Sequence, residues 1–403
     1  MELIIMDSDN IQSGDDNGVD SIIKAMDDVL GDFQKPVFVP VSMDLLYDGL
    51  VTIHDNIYDY SGETVVLATG KPLTKEAIDR IRRHFVSVSE EVKVSYGTHR
   101  ALMERYLGTK IPDRKELEHR LAYDKMAVLC RRLIEDIRAN EALPMELITK
   151  LLKELKDCYS KASLSDIFCV LHVPCAREDD FYRHFLNVAL LNSLIGAWKN
   201  LGTGEVEQLM LVGLLHDIGM ALLPESLIMA PRALAHCEFE VIKMHTVRGF
   251  DMMKNSGFSD LVKYGVTDHH ERIDGSGYPY GVGGGSISFA ARVTAVADVY
   301  AARVAGRGWR EAESPFNVAA NLAALAGEEF DEDIVEVFVK KLMKEMKGRP
   351  IRLSSGDVAM VSDLDFSDLT YPTVKFGGED GKVVKTNQDL FCKGFYFSKA
   401  SEL

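Results

Sequence analysis

The chain has 403 residues, 46% hydrophobic and 27% charged, a length and balance that suit two or three folded domains and exclude a disulfide miniprotein or a largely disordered chain. Its 46 Lys and Arg stand against 62 Asp and Glu, and the net charge of -16 repels nucleic acid and anionic lipid over most of the surface. A phosphate-bearing ligand must therefore be drawn in by a local positive site.

Met1 to Met6 is a short apolar run followed at once by Asp7 and Asp9, which predicts no signal peptide. The acidic group Asp7, Asp9, Asp15 and Asp16 is read as a solvated loop, because Gln12 stands where a calcium loop needs glycine. Residues 1–112 alternate short apolar runs, such as Val37-Phe38-Val39 and Val65-Val66-Leu67, with turn signals at Ser61-Gly62 and Gly70-Lys71-Pro72. With a helix expected near 74–84, they are read as a small α+β regulatory module. Over 113–163, Leu117, Leu121, Met126, Leu129, Leu133 and Ile137 recur at helical spacing and predict connecting helices that break near Leu143-Pro144. Residues 164–348 are helical in pattern apart from a glycine-dense loop at 275–285, and form the candidate catalytic domain. Residues 349–403 carry short β-type runs, Ile351-Arg352-Leu353, Val358 to Val361 and Val374-Lys375-Phe376, and read as a β-rich appendix. The fold class is mainly α, a helical bundle with small flanking modules. The apolar run Leu209 to Leu215 stops at His216 and Asp217, too short to span a membrane. Six cysteines without a CxxC pair predict reduced thiols and a cytoplasmic setting.

Seven of the 11 histidines lie between His172 and His270. Asp180 and His184 stand at i, i+4 and share a helix face. His216-Asp217-Ile218-Gly219 ends an apolar helix that should bury the pair, and buried polar pairs need partners. His245 follows in Lys-Met-His-Thr, and His269-His270-Glu271 precedes Asp274-Gly-Ser-Gly-Tyr-Pro279. Asp298 sits among Ala295, Ala297, Ala301 and Ala302, small residues that bring helices close around a carboxylate. The isolated His54, His84, His99, His119, His172 and His236 are read as structural or surface residues. Imidazoles and carboxylates in this number exceed the four ligands of one structural zinc and suit several first-row metal ions. Paired ions about 3.5–4 Å apart support phosphoester hydrolysis, and an aspartate beside a histidine has a bridging role ready. The glycines of 275–285 first indicate a turn-rich loop.

The ordered set His184, His216-Asp217-Ile-Gly, His245, His269-His270-Glu271-x-x-Asp274-Gly-Ser-Gly-Tyr-Pro279 and Asp298 resembles the HD-GYP family of HD-domain phosphohydrolases, over roughly residues 164–345. The resemblance implies an all-helical bundle, two or three divalent ions of iron or manganese, and hydrolysis of cyclic di-GMP or a related cyclic dinucleotide. It implies that His184, His216, Asp217, His245, His269, His270 and Asp298 are metal ligands, with Asp217 the bridge and His216-Asp217 the catalytic pair. Asp180 falls where members with three metals place a glutamate, so a shorter carboxylate stands at that third site. Gly275, Gly277, Tyr278 and Pro279 match the loop that names the family, and Arg307 and Arg310 match basic residues that meet substrate. The stretch 37–95 resembles a small domain found before some members, and the segment around Leu353 to Asp357 resembles their β-rich tail.

Two departures from the family pattern bear on substrate. Met220 stands where the family carries lysine after His-Asp-Ile-Gly, and Ala301 stands where a second aspartate is common. Arg272, Arg303 or Arg307 are candidates to compensate. Three readings follow: a cyclic dinucleotide phosphodiesterase, a receptor or adaptor that binds the nucleotide without useful turnover, and another HD-type nucleotide phosphohydrolase. Expected partners are a cyclic dinucleotide and, through the N-terminal module or the Gly-Tyr-Pro loop, other proteins. A homodimer is left open, and neither DNA, RNA nor membrane is expected.

Overall fold

A computed structural model describes residues 38–42, 57–58, 65–67, 91–95, 114–159, 164–172, 177–305, 312–376 and 381–395. The chain divides into two compact units, 1–122 with 398–403, and 123–397. In the first unit, the valine-rich strand β1 (Phe38–Ser42) has as its antiparallel partner the similarly valine-bearing stretch Glu91–Ser95, with Val39 opposite Val94 and Val41 opposite Val92. Between them in sequence, β2 (Ile57–Tyr58) and β3 (Val65–Leu67) form a second antiparallel pair. Counting in chain order, Glu91–Ser95 is β4. The helix expected near 74–84 and the acidic group at 7–16 lie outside the described residues.

Helix α1 (Arg114–Asn140) is followed by α2 (Met145–Tyr159), and the break falls at the expected Leu143-Pro144, with Glu141 in the left-handed region at φ 50°. After α3 (Leu164–Leu171), the bundle of the second unit is built around α4 (Arg177–Trp198), whose Phe185, Leu186, Val188, Ala189, Leu190 and Leu191 are all buried. Such a helix, apolar on every side, can only be central. It lies against α5 (Thr203–Leu215) so closely that a Cβ on Gly213 would come within 2.6 Å of the Ala189 backbone.

The short α6 (Glu225–Ile228), then α7 (His236–Met253), α8 (Asp260–Asp268), α9 (Phe289–Ala305), α10 (Pro315–Ala324) and α11 (Glu332–Met346) complete the helices. Of the alanines of α9, Ala290, Ala291, Ala295, Ala297 and Ala301 are buried, while Ala302 is half-buried and Ala305 exposed. Asn192 ties three helices together, donating from Nδ2 to the Leu209 carbonyl at 3.0 Å and to Thr294 Oγ1 at 2.8 Å. Among the described residues no helix is long and apolar enough to cross a membrane.

The C-terminal strands are β5 (Pro350–Leu353), β6 (Val358–Asp363), β7 (Thr373–Lys375), β8 (Val383–Lys385) and β9 (Cys392–Phe395). They form one antiparallel sheet in the order β8-β7-β6-β5-β9. Period-two alternation buries Ile351, Leu353, Ala359, Val361 and Val374 and leaves Arg352, Val358 and Met360 outward. The sheet packs against the bundle. Phe395 sets its ring edge-on to Phe168 and to His172, each with centroids 4.8 Å apart, and the Arg349 guanidinium lies 4.2 Å above the Phe168 ring. Bundle and sheet therefore belong to a single unit.

The α4–α5 contact leads to a stability prediction. Gly213→Ala should destabilise the second unit by about 1–3 kcal/mol, because the methyl group meets backbone that cannot rotate away. Chemical denaturation measures this, and an unchanged midpoint would contradict the packing described.

Candidate metal centre

Helix ends and close packing bring the candidate ligands together. His184 projects from α4 and Asp298 from the middle of α9. His216 caps the C-terminus of α5, and Asp217 opens the 3-10 turn Ile218–Leu222. That turn presses on α7 at the level of His245, where a Cβ on Gly219 would overlap the His245 carbonyl oxygen. His269 caps α8, a helix started by the Ser259 hydroxyl, which accepts from the Val262 N–H, and His270 follows.

Seven side chains converge into two adjoining clusters: Asp217, His245, His269 and His270 in one, and His184, His216 and Asp298 in the other. Within each cluster the facing atoms lie within 4.8 Å of one another. The Asp217 carboxylate serves both. Its Oδ1 is 3.0 Å from His245 Nε2 and 3.6 Å from His269 Nε2, while Oδ2 is 3.5 Å from His216 Nε2 and 4.0 Å from His184 Nε2. Asp298 Oδ1 is 3.0 Å from His184 Nε2, and Asp298 Oδ2 is 3.8 Å from His270 Nδ1, a second link across the boundary.

Hydrogen bonding sets the tautomers. The Nδ1 atoms of His216, His245 and His269 lie 2.8, 2.7 and 2.8 Å from the carbonyl oxygens of Gly213, Ile242 and Val266. A carbonyl only accepts, so each Nδ1 carries the proton and each Nε2 turns a lone pair inward. His245 Nε2 and His269 Nε2 then face each other at 3.5 Å, and the buried Asp217 Oδ1 beside them receives no hydrogen bond. Buried lone pairs arranged this way repel unless a cation lies among them. The donor set of imidazole nitrogen and carboxylate oxygen fits a transition-metal ion.

The electrostatics agree. Burial alone raises a carboxyl, but the imidazoles of His216 and His245 outweigh it and hold Asp217 well below the usual carboxylate range. Asp298 is likewise held down against burial, by the hydrogen bond with His184 and by His270. Burial lowers His269 and His270, each helped by neighbouring imidazoles. His216 is the exception: burial lowers it, but Asp217 raises it further than burial can offset. The two buried carboxylates, Asp217 and Asp298, attract positive charge to the site.

Other predicted residues take different positions. Asp180 is half-buried on α4 and lines a cavity of about 930 Å³, without joining either cluster. Met220 is buried in the 3-10 turn after Asp217 and lines the same cavity. Arg307 and Arg310 lie outside the described residues. Ala301 is buried on α9. Arg272 spends its guanidinium on the carbonyls of His269 and Glu271, and Arg303 forms a two-point ion pair with Glu313 at 3.0 and 2.5 Å. His172 is a packing residue as expected, its Nε2 2.9 Å from the Tyr300 hydroxyl and its pKa pushed down to about 3 by burial.

The loop 275–285 folds around a residue that sequence reasoning passed over. Glu271 is buried and accepts from the backbone N–H groups of Tyr280, Gly281 and Val282 at 2.7, 3.1 and 3.1 Å. It is the post on which the loop hangs. Gly277 packs where any Cβ would strike the Glu271 and His270 backbone, and Gly275 adopts φ 80°. The Tyr278 ring stacks on His270 at 4.6 Å, and the Tyr278-Pro279 peptide is cis. Glu271→Ala leaves three N–H groups without their acceptor and should cost on the order of 3 kcal/mol. Limited proteolysis should then cut within 275–285 faster than in the parent chain, and equal rates would contradict this role.

Residues 181–334 match the HD domain family model. The chain is 30% identical over 274 residues to the cyclic di-GMP phosphodiesterase PA4108 of Pseudomonas aeruginosa, covering 66% of this chain and 64% of that protein. It is 31% identical to a cyclic di-GMP phosphodiesterase of Thermotoga maritima, over 42% of this chain and 46% of that one. It is 27% identical to the 3'3'-cGAMP-specific phosphodiesterase 2 of Vibrio cholerae, over 54% and 41%. The chain thus spans less than two thirds of the length of each of these relatives. The paired clusters and the Gly-Ser-Gly-Tyr-Pro loop all lie within the stretch that matches the HD domain model, and that stretch resembles the HD-GYP family of HD-domain proteins.

Proposed function

We propose that the chain is a metal-dependent phosphodiesterase that opens a cyclic dinucleotide, such as cyclic di-GMP, to pGpG or GMP. The observation that supports it most is the divided Asp217 carboxylate, one oxygen turned to each ligand cluster. The names of the relatives point to the same substrate class. In this reading His184, His216 and Asp298 hold one ion and His245, His269 and His270 another, with Asp217 between them. Asp180 would reach a third ion if one is present.

Divalent iron or manganese held there supplies Lewis acidity and an acidified water at neutral pH. The reaction consumes one water: its oxygen bonds to phosphorus, the P–O3' bond breaks, and a 5'-phosphate and a 3'-hydroxyl result. The chain's own residues prepare the site. Carbonyl-anchored imidazoles keep their Nε2 lone pairs directed inward, Asp217 and Asp298 stay ionised, and the buried walls of α4, α5 and α9 exclude bulk water. Cytoplasmic reduced thiols suit this reading, and the described cysteines Cys130, Cys158, Cys237 and Cys392 are free.

A receptor that binds without turnover is favoured by one feature, the thioether of Met220 beside Asp217 where a cation would serve phosphate. Anaerobic reconstitution with Fe(II) or Mn(II) separates the readings. Cyclic di-GMP should be converted to pGpG or GMP, and Asp217→Ala should lower the rate about 100-fold or more with its helical circular dichroism unchanged. Binding without product under every metal and cyclic dinucleotide would favour the receptor. Turnover confined to ordinary nucleotides would point to another HD-type phosphohydrolase.

A further inference from the structure

A cyclic dinucleotide carries two phosphodiesters, and only the one under attack can lie at the metal centre. The other brings a negative charge into a chain whose net charge is -16, so it needs a cation of its own. Lysine is absent at Met220, and Arg272 and Arg303 are engaged elsewhere. Among the described residues, four Lys and Arg side chains line the cavity that contains His184 and Asp217: Arg183, Arg232, Arg352 and Lys393. Arg183 bonds to Asp124 at 2.8 Å, and Arg232 makes a two-point pair with Glu238 at 2.7 Å on both arms. Arg352 and Lys393 come from the C-terminal sheet, on β5 and β9.

The strand register places these two side by side. Arg352 faces Gly394 and Leu353 faces Cys392, so Lys393 is the extra residue of a bulge and has no cross-strand partner. A bulge re-aims the side chain it carries. Both residues are exposed, and Lys393 enters no ion pair among the described residues. Phe395, two residues on, fixes β9 to the bundle through Phe168 and His172. The cations thus stand on an anchored wall.

Building on the phosphodiesterase reading, we infer that Lys393 grips the phosphate that is not cleaved, which makes the C-terminal sheet part of the substrate site. Lysine offers that phosphate a point charge.

The test uses the full metal-loaded chain with two substrates, cyclic di-GMP and the single phosphodiester bis(p-nitrophenyl) phosphate. Lys393→Met should raise KM for cyclic di-GMP about tenfold, with kcat nearly constant. It should leave the rate on bis(p-nitrophenyl) phosphate unchanged, and Lys393→Arg should restore KM. If KM stays within about twofold of the parent in Lys393→Met, or both substrates suffer equally, the inference is overturned while the phosphodiesterase reading stands. A parent chain that cleaves neither substrate would overturn that reading, and this inference with it.

Discussion

The second unit is organised around a repulsion. Three imidazoles, on His216, His245 and His269, each place Nδ1 within hydrogen-bonding distance of the carbonyl three residues earlier, and so turn Nε2 lone pairs toward one another and toward the Asp217 carboxylate. The cost of this arrangement falls only when positive charge occupies the space between them. Every close approach nearby, from Gly219 on α7 to Gly213 on α4, serves to hold ligand-bearing backbone at that distance. Stability and metal affinity are therefore coupled, since what holds the cage together is also what makes it unfavourable when vacant.

The helices divide the labour between position and polarity. Helix termini deliver His216, Asp217, His269 and His270, while mid-helix positions deliver His184, His245 and Asp298. Chain ends of helices can change direction within one residue, which is how adjacent residues such as His216 and Asp217 come to face different neighbours. The Gly-Tyr-Pro loop then lies over the site through Tyr278 on His270, anchored by Glu271 rather than by its own glycines. The cavity before the site is completed by the C-terminal sheet, so its lining draws on distant parts of the chain.

Much of the site was legible in the sequence because it is written in adjacent pairs. His216-Asp217 and His269-His270 are uncommon neighbours in apolar surroundings, and burying them without partners would be costly. The helical bundle was legible from periodicity, and the break at Leu143-Pro144 from proline. What escaped depended on tertiary contacts. Glu271 gains its role only when its oxygens meet three loop N–H groups, and Asp180 shares a helix face with His184 yet stays outside the clusters. The strands β8 and β9 are short and carry weak patterns, and a bulge at Lys393 exists only once β9 has paired with β5. No local signal could show that Arg352 and Lys393 line the same cavity as Asp217.

In the proposed site, one carboxylate unites two clusters of inward lone pairs around cations. Elemental analysis of protein purified anaerobically without chelators tests it most directly. More than one iron or manganese ion per chain is expected in the parent, with Asp217→Ala depleting both positions together. A parent chain devoid of transition metal, or a variant that keeps the full complement, would contradict the account.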